Sequence, residues 1–176
     1  QDTLDFTAWN LPGGRIPAQE ARKILADRVA DDPGLFPSPL SQKVARQTLE
    51  ASRGLEGPGS LGAGVVFLDG SLIRGAARSV TGLGLLPEAQ DWPVRDGVPV
   101  RLIWVLIIRD DSPRSVARDL GLYFGGLLGD PGLVEALVQQ QGEESARLFE
   151  SFVQADVAAQ KAMAGGSPAE ALLAMD

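Results

Sequence analysis

Seven consecutive apolar residues, Leu102 to Ile108, follow the tight-turn pair Asp96-Gly97 and stop at Arg109. A bilayer span needs roughly 20 such residues, so this run does not cross a membrane. It also lacks the polar alternation of a strand with one wet face. Val100 to Ile108 therefore reads as a central strand covered on both sides, which requires a sheet with helices on each face.

The flanking pattern supplies those partners. Leu4 to Trp9 alternates apolar and polar side chains as a short strand does, and Pro12-Gly13-Gly14 breaks it. Pro17 opens a helix whose face is Ala21, Ile24, Leu25 and Val29, closing near Asp32-Pro33. Ser38-Pro39 starts a second, with Leu40, Val44, Thr48 and Leu49 on one face and its end at Gly54. The breakers Gly54, Gly57, Pro58, Gly59, Gly62 and Gly64 then form a glycine loop that feeds a buried strand, Val65 to Leu68. Leu72 to Val80 and Thr81 to Leu86 are two further candidate strands. After the apolar strand, Ser112-Pro113 begins a helix bearing Val116, Leu120, Tyr123, Phe124 and Leu127 on one face. Asp130-Pro131 opens a short helix that buries Leu133, Leu137 and Val138, and a third runs from about Glu143 to Val157 on Leu148, Phe149, Phe152 and Val153. Trp9, Trp92 and Trp104 are expected in the core or at its edge. The strands and helices do not alternate strictly, so the expected fold is α/β with a mixed β-sheet flanked by helices. One domain spans 1–157, and 158–176 is an Ala-rich C-terminal helix or linker.

Composition narrows the chemistry. The 176 residues include no His and no Cys, which excludes a His-based triad, a phosphohistidine relay, a catalytic thiol and zinc or iron–sulfur sites built on those ligands. No metal site and no cofactor is implied. The net charge of −7 and the scattered Lys and Arg argue against nucleic acid as a partner. Asp2 and Asp5 near the N-terminus, with no basic start and no apolar segment behind it, do not make a signal peptide. A chain starting at Gln1 fits a domain excised from a longer cytoplasmic protein, and equally a removed tag.

Three stretches carry a family resemblance: Ser60-Leu-Gly-Ala-Gly-Val-Val-Phe-Leu-Asp69, Asp96-Gly-Val-Pro-Val with the apolar strand behind it, and the helix pair Ser112 to Gln140 with Leu-Gly-Asp-Pro-Gly-Leu at its joint. Together they resemble the enzyme IIA domain of the fructose/mannitol type from the bacterial sugar phosphotransferase system, including its nitrogen-regulatory paralogues. The similarity covers roughly Leu4 to Val153. In that family a His after the first of these strands accepts phosphate from the carrier protein HPr and passes it to the transporter's IIB domain. Aligned on Gly62 and Gly64, this chain has Leu68 at the family's Pro, Asp69 at the phosphorylated His and Ser71 at a common basic position. A second family His, near the start of the following helix, aligns with Val116. The resemblance thus implies a degenerate member whose departures fall on the chemistry.

Several residues then become candidates. Asp69 offers a fixed negative charge where phosphohistidine would sit, a shorter substitute with one charge where phosphate carries about two; it is also an ordinary turn residue before Gly70. Acyl phosphate formation on Asp69 is chemically possible. The loop glycines Gly59, Gly62 and Gly64 could cradle a phosphate on backbone N–H groups, but the loop lacks the P-loop Lys-Ser/Thr and runs into a strand, which favours close backbone packing. Arg114 and Arg118, one helical turn apart with Ser115 between them, could bind an anion or form a solvated face. The expected binding set is Leu68, Asp69, Gly70, Ser71, Arg114, Ser115 and Arg118, with no catalytic residue.

These readings converge on a non-catalytic regulatory or protein-binding module in the cytoplasm. Its expected partner is a transporter or regulator domain, or an HPr-like carrier, with no direct membrane insertion; such a domain can be the cytoplasmic part of a membrane transporter. The rivals are an active phosphocarrier using Asp69, Ser60, Ser71 or Ser115, and a small-molecule sensor.

Overall fold

A computed structural model describes residues 4–51 and 60–165 of the chain. The elements are β1 Leu4–Asn10, α1 Ala18–Ala30, α2 Pro39–Ala51, β2 Ser60–Gly62, β3 Val65–Gly70, β4 Ser79–Gln90, β5 Val100–Ile107, α3 Arg114–Leu127, α4 Pro131–Val138 and α5 Glu143–Gly165. The five strands form one sheet in the order β1-β4-β5-β3-β2. β5 runs parallel to β3 and antiparallel to β4, while β1 is parallel to β4 and β2 antiparallel to β3, so the sheet is mixed. The apolar strand is interior, as its lack of alternation requires.

β5 divides the core. Ile103, Val105 and Ile107 face the layer that holds α1 and α2, and Leu102, Trp104 and Leu106 face the layer built by α3, α4 and α5. On the first face Gly82 of β4 admits the Trp9 ring, which a Cβ there would meet at 2.3 Å. On the second, the Trp104 indole N–H donates to Thr81 Oγ1 at 2.8 Å, and the ring stacks on Phe67 with centroids 4.1 Å apart. Trp92 is buried and donates to the Ile16 carbonyl at 2.8 Å.

Local chemistry explains the helix starts. Ser38 Oγ accepts from the Ser41 N–H at 3.0 Å, and Asp130 Oδ1 from the Gly132 N–H at 2.9 Å, so each satisfies a donor that the first helical turn leaves free.

The structure departs from the sequence pattern in four places. Leu72 to Arg78 is a loop, and the two expected strands are one, β4, beginning at Ser79. Gly75 takes φ +88° there, and the buried anchors Ile73 and Ala76 are three residues apart, a spacing no strand face permits. Leu40 is 71% exposed, and α2 is held by buried Ala45 and Leu49 instead. Leu148 and Phe152 lie exposed, because α5 turns Ala146, Phe149 and Val153 inward. Finally, α5 continues without a break past Val157 to Gly165. The expected end of α2 at Gly54 lies outside the described residues.

Candidate functional site

Asp69 is the last residue but one of β3 and pairs in register with Leu106 of β5. Strand alternation turns Leu68 into the core beneath α1 and α2 and leaves Asp69 exposed. The chain turns immediately afterwards: Asp69 Oδ1 accepts the Ser71 N–H at 2.9 Å, and the Ile73 N–H returns to the Gly70 carbonyl at 3.1 Å. Gly70 is obligatory, since a Cβ there would lie 2.3 Å from Ile107 Cδ1 and 2.9 Å from the Leu106 carbonyl. Packing against β5 therefore presents the Asp69 carboxylate at the rim of the sheet.

Shallow depressions meet at this rim. One, of about 370 Å³, is bounded by Phe67, Asp69, Ser71, Arg118, Gly121 and Leu122. A second, of about 540 Å³, lies towards α2 between Asp69, Thr48 and Leu72. A third, of about 260 Å³, runs from Ser71 and Arg74 to Arg109, Ser112 and Arg114. Large apolar side chains stand beside the carboxylate, with Leu72 80% and Leu122 73% exposed. Arg118 lies 3.8 Å from its neighbour Asp119, both well exposed, a pair too solvated to hold it.

The structure thus gathers Asp69, Ser71 and Arg118 around one depression, and Ser71 and Arg114 around another. Ser115 is exposed and lines none of the three. Val116 is half-buried, and the wall facing the strand end belongs to Ala117. The glycines sit elsewhere. Gly62 and Gly64, both at φ +82°, form the turn between β2 and β3 at the opposite end of β3 from Asp69, about 16 Å of extended chain away. Gly64 packs so tightly that a Cβ would meet the Pro99 carbonyl at 2.9 Å, and its own carbonyl accepts the Arg101 N–H at 2.9 Å. That is the close backbone approach expected of a structural glycine. Gly59 lies outside the described residues. Phe67, Leu72, Gly121 and Leu122 border the site without any sequence signal pointing to them, save that Leu122 falls off the buried face of α3.

Tyr123 and Asp156 join α3 to α5 on the same side of the sheet, the phenol donating to Asp156 Oδ2 at 2.6 Å. Burial, followed by the bond to the carboxylate and its negative charge, pushes the Tyr123 phenol well above its ordinary value of 10.0. Among the described residues no three acidic side chains converge as a metal site would require, and no helix is long and apolar enough to cross a membrane.

No family model and no curated protein matches the chain in sequence. Among solved structures it is similar to the nitrogen regulatory protein IIA-Ntr from Neisseria meningitidis, with a TM-score of 0.57 and 19% identity, covering 80% of this chain and 90% of that one. At that identity the likeness is one of fold. The α/β architecture, a mixed five-stranded sheet with helices on both faces, matches that of this neighbour.

Proposed function

We propose that this chain is a non-catalytic regulatory or protein-binding module on a phosphotransferase IIA-like fold, with Asp69 standing where the resembled family carries its phosphorylated His. One observation carries the reading: a carboxylate, in a chain with no imidazole, occupies the exposed rim of β3 between solvent-facing Leu72 and Leu122. A carboxylate supplies permanent charge without the neutral nitrogen nucleophile that a phosphohistidine relay needs. Exposed apolar side chains around a charged centre are the make-up of a protein-docking face. The partner in this reading is a transporter or regulator domain, or an HPr-like carrier, met in the cytoplasm.

Incubation with HPr carrying labelled phosphate tests it. The expected result is no stable label on this chain under conditions that label an active IIA domain. A hydroxylamine-sensitive label lost in Asp69→Asn would establish an acyl phosphate and overturn the non-catalytic reading.

A further inference from the structure

Helix α5 outlasts the domain it packs on. It lies along β1, an edge strand of the sheet. Its last residue in the core is Val153, and among the described residues its last hydrogen bond to another element is the one that Tyr123 donates to Asp156. From Val157 to Ala164 no residue is buried, yet the helix continues to Gly165. A stretch of helix this short is marginal in water without tertiary cover. An apolar stripe runs along this end at helical spacing through Phe152, Ala155, Ala159 and Met163. Phe152 and Ala155 are exposed, and Met163 is 70% exposed.

Residues 166–176 lie outside the described residues, but their sequence carries a helix start. Gly165-Gly166 allows the chain to reverse, and Ser167-Pro168-Ala169-Glu170 follows it. That is a capping serine, a proline at the first helical position and an acid three residues after the serine. Ala169, Leu172 and Met175 then recur at every third position, as one face of a helix does. A helix over 168–175 rises about 12 Å, which matches the length of α5 from Ala155 to Met163.

We propose that residues 166–176 of this chain turn back at the glycine pair and lay a short helix on the apolar stripe of α5, with Leu172 against Ala159 and Met175 against Ala155. The small side chains of α5 leave room for the larger ones of the segment, so the two helices interdigitate. Apolar burial drives the contact, and the two-residue connection keeps its entropic cost low. That connection also favours this occupant: a tethered segment meets the stripe at an effective concentration that a second copy or a separate partner must exceed. α5 packs on the β1 edge of the sheet and Asp69 lies on β3, beyond β4 and β5, so the proposal stands whether or not a partner reads that carboxylate.

A chain without native cysteine allows a direct test. Leu172→Cys is combined in the full chain with Ala155→Cys, Ala159→Cys or Ala162→Cys, or with Val157→Cys, which lies about half a turn round α5 from Ala155 and Ala159. Each pair is oxidised in dilute solution and read by mass spectrometry. At least one of the first three should close an intramolecular disulfide at least about tenfold faster than the Val157 pair, whose Cβ atoms would lie beyond disulfide reach. Disulfides between molecules would give the stripe to a second copy, and equal rates for all four pairs would show the segment undocked; either result overturns the proposal. Hydrogen exchange supplies a second readout. Leu172→Glu keeps a good helix former but places a charge on the stripe, so the amides of 158–164 should exchange at least about tenfold faster than in the parent. Unchanged exchange in that variant would equally overturn the contact.

Discussion

The Asp96 carboxylate ties Ala63 to the loop that leads into β5: Oδ2 accepts the Ala63 N–H at 3.0 Å while Oδ1 accepts the Val98 N–H at 3.1 Å. Ala63 sits at φ 55° between two glycines of positive φ, so the β2–β3 turn is conformationally costly and is held from outside. Asp96→Ala removes both acceptors and should cost about 1 to 2 kcal/mol, lowering the melting temperature by roughly 3 to 6 °C for a domain of this size. Thermal unfolding of the variant measures it. Asp96→Asn keeps acceptor geometry at one oxygen and should recover about half of the loss.

Thr81 and Trp104 make the equivalent test inside the sheet. Both are buried, and Thr81 Oγ1 is the acceptor for the indole N–H. Thr81→Val keeps the shape and strands that donor in an apolar core, at an expected cost of about 1 to 3 kcal/mol by denaturant unfolding. Thr81→Ser keeps the acceptor and should lose less, although it deletes a methyl group. A Val variant as stable as the parent would show that the indole finds another acceptor.

Alkaline pH probes the α3–α5 contact. The Tyr123 phenol holds its proton more tightly in the folded chain than its ordinary value of 10.0 allows in the unfolded one. A raised pKa in the native state adds stability that is complete below the unfolded value and is lost as pH rises through and above it. The melting temperature should therefore fall with a steeper slope above about pH 10 in the parent than in Tyr123→Phe, which cannot ionise. Calorimetry at pH 8, 10 and 11 on both proteins separates the slopes.

How much of this was legible follows from which residues carried period and which carried tertiary contact. Leu102 to Ile108 announced an interior strand because seven apolar residues have no polar face to expose, and Asp130-Pro131 announced α4 because cap and first turn are local chemistry. Leu72 reads as part of a strand on its apolar character alone, whereas the loop is anchored from elsewhere in the chain: the Ala77 N–H bonds the Leu35 carbonyl, and Gly75 packs on Ser41. Leu148 and Phe152 fit a helical face as well as Phe149 and Val153 do; only the aromatic contacts of Phe149 with Phe6 and Phe124 decide which face turns inward. At the site, Asp69 is legible through resemblance, while the arginines around the third depression are not legible as a group. Arg74, Arg109 and Arg114 come from two loops and a helix start that meet only when β3 and β5 lie side by side.

Asp69 offers the most direct test of the docking face. Its Oδ1 accepts the Ser71 N–H, an arrangement that an Asn side-chain carbonyl reproduces, so Asp69→Asn should leave the melting temperature within about 1 °C of the parent. Only the charge changes. A partner that reads the carboxylate as fixed charge should then lose about 1 to 3 kcal/mol, roughly ten- to hundredfold in affinity. The deficit should shrink with added salt if the recognising cation is exposed and persist if docking buries it. Leu72→Ala provides the apolar counterpart: that side chain is nearly free in the unbound chain, so its loss should weaken the partner while barely moving stability. Titration of the native partner against all three proteins at two ionic strengths is the measurement. Equal affinities for parent and Asp69→Asn, with Leu72→Ala also unchanged, would remove the rim of β3 as the docking face and leave Asp69 a turn residue.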